Sequence, residues 1–445
     1  MKSRTLNMTE GNPVRLLLAF SLPMLIGNIF QQIYNLVDSI IVGRFVGAGA
    51  LAAVGATSSL GFLFFALCNG ISNGGGIITS QHFGAGDEEQ TKKSIVNSGY
   101  LMLVISAVVC LIAYFSCIPI LKLMDTPADI MSDASVYMKM QCLGVPFIAV
   151  YNYAAAMLRA LGDSKTPLYF LVIACIINAI LDVAFVYGLG MGVFGAALAT
   201  IIGQLLAGAG CLLYAFNSNS YFRFQRQHFR LEMRIIWEAI RLGVPLSLQF
   251  ALISLSCMAL QTVVNAFGAN AVAAFTATNR IEQLMHQPYG SLCAALATFS
   301  GQNLGAGRMD RVKEGFKRGF YIMAVFSLIM LPVMQFGGEF IIKIFVDDQQ
   351  IIQMGATALR ITSWFYLALG TINVTRGILN GIGDAFFALQ NGVVEMVGRL
   401  TIPIAITSIS FIGIWGIWWS TGAIWVISAL FCLVRYYSWR KKLAN

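Results

Sequence analysis

Two acidic residues lie inside apolar stretches of this chain, where water cannot solvate a charged group. The first stretch carries four polar side chains on one helix face, at the spacing i, i+3, i+4 and i+7: Gln31, Tyr34, Asn35 and Asp38. In a later stretch, Asn178 and Asp182 are four residues apart and also share a helix face. Thr200, in the stretch after that, adds a hydroxyl group at a comparable depth. These side chains are the first candidates for a functional site.

A carboxylate in the middle of a bilayer costs about 3 kcal/mol on insertion scales, so it normally faces a cavity or a partner. Two carboxyls, an amide and a hydroxyl suit two kinds of chemistry. Neighbouring carboxylates raise each other's affinity for a proton, and oxygen ligands also suit a hard cation such as Na⁺. The structural alternative is a hydrogen-bond network that only holds helices together. We therefore predict a proton or cation site formed by Asp38, Asn178, Asp182 and Thr200.

Other charged residues within apolar stretches require separate interpretations. Glu282 and His286 are four residues apart, with Arg280 nearby, and an acid facing a cavity could attract a cationic ligand. Glu395 and Arg399 are also four residues apart. For this second pair, internal neutralisation on one helix is the favoured interpretation.

The elements that must position these residues are membrane helices. Hydrophobic residues make up 58% of the 445 residues and charged residues only 11%, against about 25% charged in soluble proteins. Because a bilayer-spanning helix needs roughly 20 apolar residues, the sequence predicts an all-α integral membrane protein with twelve spans. Their approximate ranges are 14–43, 51–82, 93–118, 130–158, 166–190, 193–216, 236–266, 270–300, 311–336, 351–381, 384–409 and 415–440. The polar N-terminus leads directly into the first span, so no cleaved signal peptide is expected.

The chain also repeats itself at an offset of 221 residues. The hexapeptide 81–86 (QHFGAG) recurs as 302–307 (QNLGAG), and Gly162-Asp163 recurs as Gly383-Asp384. We predict two six-helix lobes related by pseudo-two-fold symmetry, residues 1–216 and 236–445, joined by a linker at 217–235. Two such halves around a central cavity are typical of transporters.

Charge predicts orientation and excludes some partners. Most of the 29 basic residues fall in the loops on one side, so the positive-inside rule predicts that both termini are cytoplasmic in a multi-pass plasma-membrane protein. The net charge of +9 is spread over short loops that contact anionic lipid, which argues against nucleic acid as a partner.

Motifs for cofactors are missing from the sequence. The nine cysteines are scattered without a CxxC pair, and three histidines lack ligand spacing, so no metal site or disulfide framework is expected beyond a possible Na⁺ site. The run Gly74-Gly75-Gly76 has no P-loop lysine and is better explained by close helix packing. With no nucleotide motif and no catalytic cluster, the chain is predicted to be neither ATP-driven nor an enzyme.

The doubled halves are accompanied by Pro23, Tyr34 and Asp38 in the first span, the turn Gly84-Ala85-Gly86 and residues 158–163 (LRALGD). On these features, the whole chain resembles the multidrug and toxic compound extrusion (MATE) family. The resemblance implies two six-helix lobes in a V shape that exchange Na⁺ or H⁺ for cationic amphipathic compounds. Asp38, Asn178, Asp182 and Thr200 match the N-lobe cation site of one subgroup, and Pro23 matches the proline at which its first helix is proposed to bend.

The resemblance also suggests where substrate would bind. Gln31 and Tyr34 match positions that line the N-lobe drug cavity, and we add Asn35 from the same face and Glu282 as predicted substrate contacts. Another branch of the family carries cation-binding acids in the seventh and tenth spans. Here the middle of the seventh span offers Gln249 but no acid, and the tenth span offers Asn373 and Arg376, again without an acid. Ion coupling is therefore expected in the N-lobe, in a protein expected to act as a monomer without a cofactor.

Alternatives from the sequence are a lipid-linked oligosaccharide flippase or a metabolite exporter of the same superfamily. A major-facilitator carrier is disfavoured because the loop after the second span, with Asp87, Glu88 and Glu89, lacks the basic signature of that class. A channel is disfavoured by the duplicated lobes with unlike chemistry.

Overall fold

A computed structural model of the chain describes residues 5–124 and 126–442, apart from the side chain of residue 59. The first half forms six long helices: α1 (Pro13–Ile41), α2 (Ala48–Gly84), α3 (Glu88–Leu123), α4 (Met131–Ala160), α5 (Lys165–Asp182) and α6 (Gly192–Ser218). The second half forms seven: α7 (Met233–Asn265), α8 (Ala269–Gly305), α9 (Met309–Lys343), α10 (Gln349–Ser363), α11 (Tyr366–Gly381), α12 (Ala385–Thr407) and α13 (Gly416–Lys442). The predicted all-α membrane fold is confirmed.

Eleven of the twelve predicted spans each coincide with one helix. Nine helices within the described residues are long and apolar enough to cross a membrane. Short π-helical turns, Val42–Val46 and Val183–Gly188, extend α1 and α5. The linker is also ordered, with two 3₁₀ turns at Ser220–Phe222 and Arg226–Phe229.

The tenth span differs from the prediction, because residues 351–381 form two helices rather than one. The chain leaves the helical path at Trp364 and Phe365, between α10 and α11. Polar side chains of α9 compensate for this break: Gln335 Nε2 donates to Arg360 O at 2.8 Å, and Ser327 Oγ donates to Tyr366 O at 3.2 Å. Backbone irregularity inside a membrane is tolerated when protein groups satisfy it.

The duplication seen in the sequence extends to the helix ends. Adding 221 to the bounds of α2 gives the bounds of α8, Ala269–Gly305. The turn glycines correspond too, since Gly86 and Gly307 have φ angles of 72° and 69°, and Gly162 and Gly383 have φ angles of 86° and 90°. Glycine occupies this left-handed region without the cost that a Cβ imposes, so both halves end the same helices in the same way.

The helical chain groups into two compact units, which are described separately. The first contains residues 5–8 and Leu22–Ser247, and the second contains Thr9–Ser21 and Leu248–Asn445, described to residue 442. The start of α1 thus groups with the second unit, and the start of α7 with the first. The lobe boundary proposed at 217–235 stays a prediction about how spans are grouped.

Close helix packing in the first unit explains the glycine run of α2. A Cβ on Gly74 would lie 2.6 Å from Ala239 O on the first part of α7, and one on Gly75 would lie 2.5 Å from Ser98 Oγ on α3. No side chain fits such gaps, which is how small residues let membrane helices approach each other. The apolar residues around this contact include Cys68, Ile71 and Ala239.

Candidate functional site

The two acids singled out in the sequence meet inside the first unit. Asp38, on α1, is 8% exposed, and Asp182, the last residue of α5, is fully buried. Their carboxyl groups lie within hydrogen-bonding reach of each other. No described N–H or O–H group donates to Asp38 Oδ1 or to either carboxyl oxygen of Asp182. Two carboxylates that touch cannot both stay ionised unless a cation lies between them; without a cation, the pair holds a proton.

The amide and the hydroxyl predicted for this site lie beside the carboxyls. Tyr34 Oη donates to Thr200 Oγ1 at 3.1 Å, which links α1 to α6, and Thr200 Oγ1 donates to Ala196 O at 3.1 Å. Asn178 is 2% exposed, and neither its amide oxygen nor its amide nitrogen has a hydrogen-bond partner among the described residues. Asn178 and Thr200 line one small cleft together with Gln31 and Tyr34.

Small residues and a short π turn hold this arrangement. Gly203 on α6 faces α5 so closely that a Cβ would lie 3.3 Å from the Asn178 Cβ, which brings Asn178 and Thr200 to neighbouring positions. Asp182 comes directly before the π turn Val183–Gly188. Such turns inside helices occur frequently at functional sites.

The structure also places groups that the sequence interpretation missed. Tyr137 on α4 is close enough to Asp38 and Asp182 to interact with both electrostatically, and it packs in the apolar cluster that contains Ile41 and Val186. Gln204 on α6 lines the same cleft, and its Oε1 has no partner among the described residues. Neither residue has a sequence signal, because a lone Tyr or Gln within an apolar helix looks like packing.

Two predicted residues lie apart from this cluster. Asn35 is exposed and does not line the cleft, although it belongs to the same polar stripe. Pro23 is buried inside α1 and lines a different cleft with Gly27 and Arg159.

Glu282 belongs to the second unit, on α8. It lies within reach of Thr362 on α10 and interacts electrostatically with Arg399 on α12. Its Oε1 and the Tyr366 Oη near it are buried without a hydrogen-bond partner among the described residues. His286, one turn further, places its ring 5.8 Å from the Trp425 ring.

Glu395 is the centre of a second buried network in this unit. Arg376 Nη2 lies 2.7 Å from Glu395 Oε1, and Arg399 Nη2 lies 3.5 Å from Oε2. Asn391 Nδ2 also donates to Glu395 at 3.1 Å, and Arg399 Nη1 donates to Ser256 Oγ at 2.8 Å. The predicted Glu395–Arg399 ion pair is therefore present, but it is longer than the ion pair between Glu395 and Arg376 of α11, which is the principal partner. Sequence spacing could not show this contact between helices.

The oxygen atoms of this site in the first unit could bind either H⁺ or Na⁺. Carboxyl, amide and hydroxyl oxygens are ligands for Na⁺, and the touching carboxyls would equally share a proton. In the described part of the chain, no group of three or more His, Cys, Asp or Glu side chains could hold a metal ion.

Duplicated membrane-spanning halves with a buried polar site are typical of membrane transporters. The sequence profile of the MatE family matches this chain over residues 23–184 and 245–407, once in each half. The chain therefore belongs to the MatE family, and it is a multi-pass membrane transporter rather than an enzyme.

Similar proteins cover the chain almost end to end. YoeA of Bacillus subtilis, a probable multidrug resistance protein, is 27% identical over 433 residues, which cover 95% of this chain and 93% of YoeA. The multidrug export protein MepA of Staphylococcus haemolyticus is 24% identical over 434 residues, covering 98% and 95% of the two chains.

Among solved structures, a MOP-superfamily transporter from Pyrococcus furiosus superposes with a TM-score of 0.92 over 100% of both chains, at 22% identity. That protein has a binding pocket of reversed polarity, which suggests a different function for it. The likeness shows that the two chains share a fold.

Proposed function

We propose that the protein is a secondary active efflux antiporter that exports cationic amphipathic compounds in exchange for H⁺ or Na⁺ by alternating access. The observation that supports this function is the buried contact between Asp38 and Asp182 without donors. The multidrug names of YoeA and MepA support drugs as the substrates, and the cationic amphipathic class is what the family resemblance implies.

The coupling ion would act on the carboxyl pair. A proton on one carboxyl, or Na⁺ held by Asp38, Asn178, Asp182 and Thr200, would remove the repulsion between the two carboxylates. Asp38 is on α1 and Asp182 on α5, so binding the ion draws these helices together. The Tyr34–Thr200 hydrogen bond connects the same change to α6.

Ion and substrate would compete because they share residues. Gln31 and Tyr34, the predicted substrate contacts, line the same cleft as Asn178 and Thr200. We propose that α1 repacks at Pro23 when the ion binds, which lowers the affinity for substrate. The ion drives transport only if it binds the two conformations unequally. Each monovalent cation that enters down a potential of 100 mV, inside negative, supplies about 2.3 kcal/mol.

The test is efflux of a fluorescent cationic dye from proteoliposomes, with a pH gradient and a Na⁺ gradient imposed separately. We expect one gradient to drive efflux in the wild type and not in Asp38→Asn. The matched control is Asp129→Asn, the same change at an exposed residue, which should transport like the wild type. Coupled transport that persists in Asp38→Asn would exclude the N-lobe mechanism.

A metabolite exporter or lipid-linked oligosaccharide flippase is the second candidate, because the second unit buries two arginines against one carboxylate. Arg376, Arg399 and Glu395 together carry one excess positive charge, which suits a substrate with an anionic group. If neither gradient moves the dye, anionic compounds should be tested as the cargo.

A further inference from the structure

Arg159 is a partly buried cation that takes no part in the carboxyl site or in the turn that follows α4. It lies in the last turn of α4, partly buried, and its titratable neighbours are Tyr151 and Cys211. No described acidic group forms an ion pair with it, and no described group accepts a hydrogen bond from its guanidinium. An unpaired arginine among membrane helices is costly and generally marks a functional group.

The nearest acid in sequence is already engaged. Asp163 Oδ1 accepts hydrogen bonds from Lys165 N at 3.1 Å and Thr166 N at 2.9 Å, and Asp163 Oδ2 accepts one from Thr166 Oγ1 at 2.6 Å. Asp163 therefore caps the start of α5. Asp163 is therefore not available to Arg159, and no other acid among the described residues pairs with it.

Arg159 lines a cleft with two chemical halves. Arg159, in the last turn of α4, and Ser164, directly before α5, form a polar half, and Tyr151 lines the cleft further back along α4. Leu168 and Leu171 of α5 line the apolar half, and α1 contributes Pro23 and Gly27. Helix ends lie where spans leave the hydrocarbon layer, so the polar half would be at headgroup depth.

We infer that this cleft binds an anionic phospholipid, with the headgroup phosphate on Arg159 and part of an acyl chain on the leucines. Arginine binds phosphate through two parallel N–H donors, and basic pockets between membrane helices are typical binding sites of anionic headgroups. A free phosphate ion would use Arg159 but not the apolar half. Because Pro23 lines the cleft, the bound lipid contacts α1 at its proline.

The test is native mass spectrometry of the purified full-length protein, titrated with phosphatidylglycerol or phosphatidylcholine of identical acyl chains. We expect one phosphatidylglycerol to bind about tenfold more tightly than phosphatidylcholine, and Arg159→Gln to remove that preference. Arg223→Gln, the same change at an exposed arginine of the linker, should leave it intact. Leu168→Trp keeps Arg159 but fills the apolar half, so it should weaken binding of both lipids.

Two results would overturn the inference. One is an unchanged preference for phosphatidylglycerol in Arg159→Gln. The other is inorganic phosphate that displaces the lipid at equal concentration, which would assign the cleft to a free anion. If Arg159→Gln does not fold, Arg159→Lys and Leu168→Trp decide the question, since the lysine keeps the charge and the tryptophan excludes the chain.

Discussion

At the scale of single residues, the two units bury their acids differently. In the first unit, Asp38 and Asp182 face each other and receive no donor from the described residues. In the second, Glu395 receives Arg376 and Asn391 within 3.1 Å. The first arrangement needs an added proton or cation, whereas the second is satisfied within the protein. We therefore expect substitutions at the first to affect ion coupling and substitutions at the second to affect stability.

Asp38 and Asp182 are expected to bind the coupling ion together, as one pair. Asp38→Asn and Asp182→Asn should each abolish ion-driven dye efflux, and the double variant should lose no more than either single one, because a lone carboxyl no longer shares the ion. Efflux from proteoliposomes measures all three. Ion-driven efflux that persists in either single variant and is lost only in the double variant would show that the carboxyls act independently.

Glu395→Gln is expected to lower stability, because it leaves Arg376 and Arg399 buried without a carboxylate. Breaking a buried ion pair in this way costs about 3–5 kcal/mol. Thermal unfolding in detergent micelles measures the change. Glu339→Gln is the control, since Glu339 lies 3.3 Å from Arg360 with both side chains more than 40% exposed, and such a pair contributes about 1 kcal/mol or less. Equal shifts for the two variants would contradict a structural role for Glu395.

At the scale of helices, the backbone is irregular at two kinds of position. One kind is proposed to move during transport, and the other is stabilised by side chains of a neighbouring helix. Pro23 removes one backbone donor from the interior of α1 and is the proposed bending point. The break between α10 and α11, in contrast, is held by Gln335 and Ser327 of α9. The corresponding span of the first half, α4, is continuous although it contains Pro146. Backbone duplication thus does not extend to every detail of the helices.

Pro23→Ala should lower transport while stabilising α1. Proline costs up to about 3 kcal/mol in a helix interior, so alanine makes a straight α1 more favourable and bending harder. Dye efflux and thermal unfolding of the same preparations test both effects. Pro119→Ala, inside α3, is the control and should leave efflux unchanged. Full transport by Pro23→Ala would remove this residue from the mechanism.

Gln335→Ala should destabilise the α10–α11 break by about 1–3 kcal/mol, because it leaves Arg360 O without the donor from Gln335 and removes the bond to Ser363 Oγ. The thermal midpoint in micelles measures this change. Gln353→Ala, at an exposed position of α10, should shift the midpoint very little. An unshifted midpoint in Gln335→Ala would mean that the break does not depend on α9.

At the scale of the whole molecule, the predicted orientation depends on charge alone. The loops assigned to the cytoplasm hold most of the 29 basic residues, and an even number of spans returns the chain to the same side. The same asymmetry would place Arg159 and its cleft near the cytoplasmic leaflet, which is rich in anionic lipid.

Both termini are accordingly expected in the cytoplasm. A fluorescent protein fused to either end should fluoresce in cells, whereas alkaline phosphatase, which is active only outside the cytoplasm, should be inactive at both ends. A phosphatase fused in the loop between α3 and α4 is the positive control. An active phosphatase at one terminus would contradict the twelve-span topology.

The amino-acid sequence by itself determined the spans, the duplication and the family, because bilayer length and apolar composition depend on local residues, and repeated turn glycines keep their spacing. It also identified Asp38 and Asp182, since an acid is conspicuous in an apolar helix. Only the tertiary structure decided which groups meet: the carboxyls of α1 and α5, Tyr137 beside them, and Arg376 rather than Arg399 as the main partner of Glu395. Contacts between helices depend on rotation and close approach, which one-dimensional spacing does not encode.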